Sequence, residues 1–151
     1  MSEYDFEKLA REIVASRLAE LEKAPQAAGE IAKKIIVAAV QSTKVRQDPH
    51  LTVCAVCRGV LGGMLLINKN LPEAAVKVLQ EMPAISHDVH LDPGDLMTWG
   101  MEGIASVCRM AGEGARHDVQ VAIEESFMGA GEVFSEICRK SATGPQEQAA
   151  P

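Results

Sequence analysis

His50, Cys54 and Cys57 stand at i, i+4 and i+7, a spacing that on a helix turns all three side chains to one side. One imidazole nitrogen and two thiolates in that arrangement suit Zn²⁺, with Cys108, Cys138 or a carboxylate as the fourth ligand. The competing use of these residues is plain. Unpaired Cys is most often a small buried apolar residue, and no second C-x-x-C accompanies the first. Metal or small-ligand binding through the His50/Cys54/Cys57 face is therefore the alternative reading, and the main expectation includes no metal and no cofactor.

His87-Asp88 and His90-Leu91-Asp92 gather further imidazoles and carboxylates at one helix end. A His-Asp pair is reminiscent of metal-dependent phosphohydrolases, but a histidine near a helix C-terminus also interacts favourably with the helix dipole without any ligand. Arg58 and Glu102 are of a different kind. Each interrupts an apolar run, and each immediately precedes a glycine, Gly59 or Gly103. A buried charge persists only when paired and hydrogen-bonded, so the two are expected to form a structural ion pair between helices. The sequence holds no phosphate-binding glycine loop, no nucleophile elbow and no H-E-x-x-H or paired E-x-x-H. With no constellation that names a reaction, the expectation is a non-enzymatic protein.

The elements that must carry these residues share a period. Asp48-Pro49 recurs as Asp92-Pro93, Gly59 as Gly103 and the turn 68–70 as 112–114, all at an offset of 44 (92 − 48). Asp supplies an N-cap oxygen, and Pro at the first helical position gives up a donor with no intrahelical partner. Moving back by the same offset reaches Ala24-Pro25-Gln26. The reading is all-α: six helices as three antiparallel hairpins, in a compact bundle or a short HEAT-like stack. Turns are expected near 24–27, 68–70 and 112–114. Helices are expected to 23, over 27–46, 49–68 and 71–89 (kinked at Pro83), 93–111 and 115–139. Residues 1–140 form the helical domain and 141–151 a disordered tail. The run 49–68 is the most apolar, so it belongs at the centre. Ala55, Gly59 and Gly63 make one small-residue stripe along it, and Gly59, Gly63 and Gly103 are expected at close helix contacts.

Aromatic residues make up only 3% of the chain, so the core must be built from aliphatic side chains, Ala and Met. A net charge of −6 argues against nucleic acid and anionic membranes as partners, both of which need clustered Lys and Arg. Residues 51–67 are apolar but short for a membrane span and carry Arg58. Residues 1–23 are charged and amphipathic rather than signal-like, and four Cys without secretion cues suggest reduced thiols. The expected setting is the cytoplasm. The expected role is protein–protein interaction or self-association, with another protein or a second copy (a homodimer) as partner.

Overall fold

The computed structural model describes residues 5–42, 47–67 and 70–149, except for the side chains of 141–149. Every regular element among them is helical: α1 (Phe6–Arg17), α2 (Ala24–Gln41), α3 (Pro49–Leu66), α4 (Leu71–Gln80), α5 (Met82–Val89), α6 (Pro93–Ala111), α7 (Glu113–Ser126) and α8 (Ala130–Ala149). The all-α reading holds. The six-helix division does not.

The helix starts follow the caps. Asp48 accepts the His50 N–H at 2.9 Å and Asp92 the Asp95 N–H at 3.0 Å. Asn70 accepts the Glu73 N–H at 3.1 Å, and Asp5 accepts that of Lys8 at 2.9 Å. Proline sits in the first turn of α2, α3, α4, α5 and α6, where its missing N–H costs nothing. That explains one correction. Pro25 does not end a helix but begins α2, so the break lies ahead of it, with α1 stopping at Arg17 rather than residue 23. At Pro83 the same chemistry separates α4 from α5. Glu81 keeps helical angles but donates to Val78 O in a tightened turn, so the expected kink is realised as a break between two segments.

The expected single helix over 115–139 is two helices. α6 ends at Gly112 (φ 109°) and α7 begins at Glu113. α7 then stops at Ser126, and the chain turns through Phe127 and Gly129 (φ 89°) into α8. The turn is held by Glu124, whose two carboxylate oxygens accept the N–H groups of Gly129 at 3.0 Å and Gly131 at 2.9 Å. The backbone of α8 continues to Ala149, past residue 140, where the tail was expected to begin. Of the turn expected at 68–70, residues 68 and 69 lie outside the described residues.

α3 is the hub, packing most extensively against α1 on one flank and α6 on the other, with α2 also against it. α6 in turn carries α8, while α2 packs on α4 and α4 on α7. The glycines set both flanks of α3. A Cβ on Gly59 would lie 2.3 Å from Glu7 O and 3.0 Å from Ala10 Cβ, and one on Gly63 would lie 2.7 Å from Val14 Cβ. Advancing along α3 thus advances along α1, and the two run parallel. A Cβ on Gly103 would lie 2.5 Å from Cys54 O and 3.0 Å from Cys57 Cβ. The two close approaches have the same form: a carbonyl of one residue and the Cβ of the residue three further on. The core is aliphatic, with Val53, Val56, Val60, Leu61, Met64, Val78, Leu79, Met82, Ile104 and Val107 fully buried. Thr52 is its sole buried polar residue among those described.

Candidate functional site

α3, α6 and α8 enclose an open trough of about 1150 Å³. Its floor is one stripe of α6, Thr98, Glu102, Ser106 and Arg109, joined by Cys54 and Arg58 from α3. The opposite wall is α8, through Glu132, Val133, Glu136, Ile137, Arg139 and Lys140. A second cavity of about 580 Å³ adjoins it along Arg109, Ser135 and Arg139, and reaches Cys108, Arg116 and Cys138. Four of the chain's seven arginines, Arg58, Arg109, Arg116 and Arg139, therefore face one continuous depression.

Arg58 and Glu102 both line the trough but are not partners, which corrects the expected pair. Arg58 Nε donates to Glu7 Oε1 of α1 at 2.8 Å, and its Nη1 reaches Cys54 Sγ at 3.7 Å. Glu102 Oε1 lies 2.5 Å from His50 Nε2, and the His50 ring stacks on Trp99 with centroids 4.9 Å apart. The two residues find nearer partners: Arg58, where α3 passes between α1 and α6, turns its guanidinium to Glu7 of α1, while Glu102 of α6 is taken up by His50 of α3. Burial works against charge on Arg58, but the hydrogen bond and the charge of Glu7 outweigh it, so its pKa is raised overall.

His50, Cys54 and Cys57 are not brought together as a ligand set. His50 is held by Glu102 and Trp99, while Cys57 is fully buried against α6, its Sγ 3.7 Å from where a Gly100 Cβ would stand. Burial, with Cys54 adding to it, pushes the Cys57 thiol far up, which disfavours the thiolate a metal requires. Burial also raises Cys54, helped by Glu102 and Glu7 and opposed by Arg58. Cys108 is pushed up to about 12 by burial and by Cys138, against the influence of Arg116. Among the described residues, no three His, Cys, Asp or Glu side chains gather at a point that could hold a metal ion. His87, Asp88 and His90 are exposed at the end of α5, and His90 forms its left-handed cap (φ 60°), the solvated helix end that the sequence also allows.

Two participants escaped the sequence reading. Glu7 pairs with Arg11 one turn along α1 at 3.6 Å, but its second role toward Arg58 spans 51 positions and leaves no local signal. The polar stripe of α6 did leave one, since Thr98, Glu102 and Ser106 recur every four residues on a helix whose other side is apolar. α3 is long and apolar enough to cross a membrane, yet half of it is buried inside the protein, as a central core helix must be. Comparison with family models, curated proteins and solved structures gives no match.

Proposed function

We propose that this chain is a non-enzymatic helical module that works by binding protein, with the trough between α3, α6 and α8 as its recognition surface. The observation that carries this reading is the trough itself: open, with Thr98 and Ser106 as small side chains along its floor and arginines facing the depression. Thr98 and Ser106 leave room for a partner backbone, while arginine is enriched where interfaces bind most strongly. The setting that fits four unpaired thiols is a reducing one, the cytoplasm.

The architecture we infer for this module is a short HEAT-like stack. α1/α2, α3 with α4–α5, and α6/α7 are its three hairpins, and α8 closes the exposed side of α6. The support is the repeated glycine approach, Gly59 on α1 and Gly103 on α3. Terminal helices of such stacks need a cap or a partner, and α8 covers α6 only in part.

The test is a photocrosslinking residue placed at Ser106 in the trough or at Glu30 on α2, which contributes nothing to it, in the full chain expressed in its own cells. Protein adducts from Ser106 and none from Glu30 are expected. Equal labelling from both positions, or none from Ser106, would overturn the reading.

A further inference from the structure

Cys108 and Cys138 face one cavity from two helices. Ala105 and Cys108 of α6, one turn apart, and Ser135 and Cys138 of α8, also one turn apart, line the cavity of about 580 Å³. Cys108 is 1% exposed, and Cys138 is half-buried. Each belongs to the stripe by which its helix meets the core: Cys108 follows Ile104 and Ala105, and Cys138 follows Phe134 and Ile137. α6 and α8 pack directly on each other. A disulfide joins Cα atoms up to about 7 Å apart, and helix axes about 8–10 Å apart bring facing residues into that range. Arg116 of α7 lines the same cavity, held by Glu113 at 2.5 Å and Gln120 at 2.7 Å. The two sulfurs are close enough that Cys138 adds to the effect of burial on Cys108, and Arg116 opposes burial at both thiols. The other two thiols are placed differently: Cys54 and Cys57 share one helix, and Cys57 is fully buried.

We propose that Cys108 and Cys138 are a thiol pair that closes into a disulfide by exchange with a small-molecule disulfide, fastening α8 to α6. The half-buried Cys138 is the entry thiol, and the cavity gives the reagent room. As thiolate, Cys138 Sγ attacks one sulfur of the reagent. The reagent's S–S bond breaks, and its other half leaves and takes up the proton that Cys138 released. Cys108 then releases its proton, and its Sγ attacks Cys138 Sγ. The mixed disulfide breaks, the Cys108–Cys138 bond forms, and the second half of the reagent leaves as a thiol. Two protein thiols are oxidised to one disulfide, and one small disulfide is reduced to two thiols. Arg116 favours the attacking thiolate. Burial outweighs it at both thiols, so exchange is slow at neutral pH and the pair rests reduced. That suits a reducing setting, where the disulfides that do form are usually transient and redox-sensing. No step requires Arg109, Glu113, Arg116 or Arg139, the charged groups of this cavity, to leave an existing partner. The bond fixes α8, one wall of the trough, against the helix that floors it. The pairing stands on the two thiols and their helices, whatever the trough binds.

The experiment incubates the folded full chain with oxidised glutathione at about pH 8.5, near the ordinary thiol value. Remaining thiols are then blocked, and linked peptides are mapped by mass spectrometry without reduction. The expected product is a Cys108–Cys138 link, with no link at Cys54 or Cys57. Its melting temperature is expected at least about 5 °C above that of the reduced chain, because the bond closes a loop of 30 positions (138 − 108), and to fall back on reduction. Cys108→Ser is expected to stop at the mixed disulfide on Cys138, whereas Cys138→Ser is expected to take up no reagent at the buried Cys108. A chain that keeps both thiols reduced, a link to Cys54 or Cys57 in place of the expected one, or a link that forms only after unfolding in denaturant would each overturn the proposal. So would a Cys108–Cys138 link that lowers the melting temperature, since the folded positions would then not suit the bond. None of these outcomes involves a protein partner, so failure here leaves the reading of the trough in place.

Discussion

Gly59 makes the closest approach of any described glycine, with the position of its absent Cβ only 2.3 Å from the Glu7 carbonyl oxygen. Backbone cannot swing aside as a side-chain tip can, so any larger residue forces α1 away from α3. Gly59→Leu gains about 1 kcal/mol of helix propensity, yet a net loss of about 1–3 kcal/mol is expected from overpacking. A melting temperature equal to or above wild type would refute the contact. The spacing of Gly59, Gly63 and Gly103 made these contacts legible in sequence, but not which helix each would meet. Arg58 found Glu7 on α1 and Glu102 found His50 on α3, so the Arg58–Glu102 pair drawn from equivalent positions dissolved into two separate pairs. The thiols give a second expectation at this scale. Cys108 has a folded pKa of about 12 against an ordinary value of 9.0, burial being the main cause. The unfolded chain therefore releases this proton first as pH rises. Stability from Cys108 is fully present below about 9 and declines toward 12. Thermal melts across that window should fall less steeply for Cys108→Ser than for wild type, and parallel slopes would show that the thiol is not so protected.

Among the elements, helix starts were legible because caps and prolines act locally. Asp48 and Asp92 cap where expected and Asn70 caps in the same way, while Pro25 and Pro83 follow the same rule of opening a first turn. The division of residues 115–139 was not legible, because the apolar spacing of Val119, Ile123, Ala130, Phe134 and Ile137 survives the break between α7 and α8. What makes the break is a side-chain contact, Glu124 reaching forward to two N–H groups at the start of α8. A carboxylate there satisfies orphan donors and opposes the positive end of the helix dipole. Removing it in Glu124→Ala should cost about 1 kcal/mol, the typical worth of an N-cap. The loss should concentrate in α8, read as faster amide exchange over its first turns than elsewhere. Uniformly faster exchange, or none, would mean that the carboxylate does not hold the turn.

For the whole molecule, the apolar run of α3 predicted its central place, and the structure puts it between α1 and α6 with α2 also against it. The trough was not legible from the sequence, because it is made by three helices whose arrangement depends on the α7–α8 break. Of its floor residues, Thr98, Ser106 and Arg109 read only as the polar side of an amphipathic helix, and Cys54, Arg58 and Glu102 stood out for other roles. The same arrangement makes stability uneven. A helix flanked on both sides opens only when its neighbours have opened, whereas one flanked on a single side can detach alone. α3 should therefore hold the slowest-exchanging amides, with α6 next. α1, which lies at the edge of its row and has little contact with α2, should open well before the molecule unfolds. Native-state hydrogen exchange in increasing denaturant measures this ordering directly. If the amides of α1 close to Gly59 and Gly63 exchange only through global unfolding, as those of α3 should, then α1 and α3 form a single cooperative unit. The stacked, neighbour-by-neighbour account of this fold would then give way to that of one indivisible bundle.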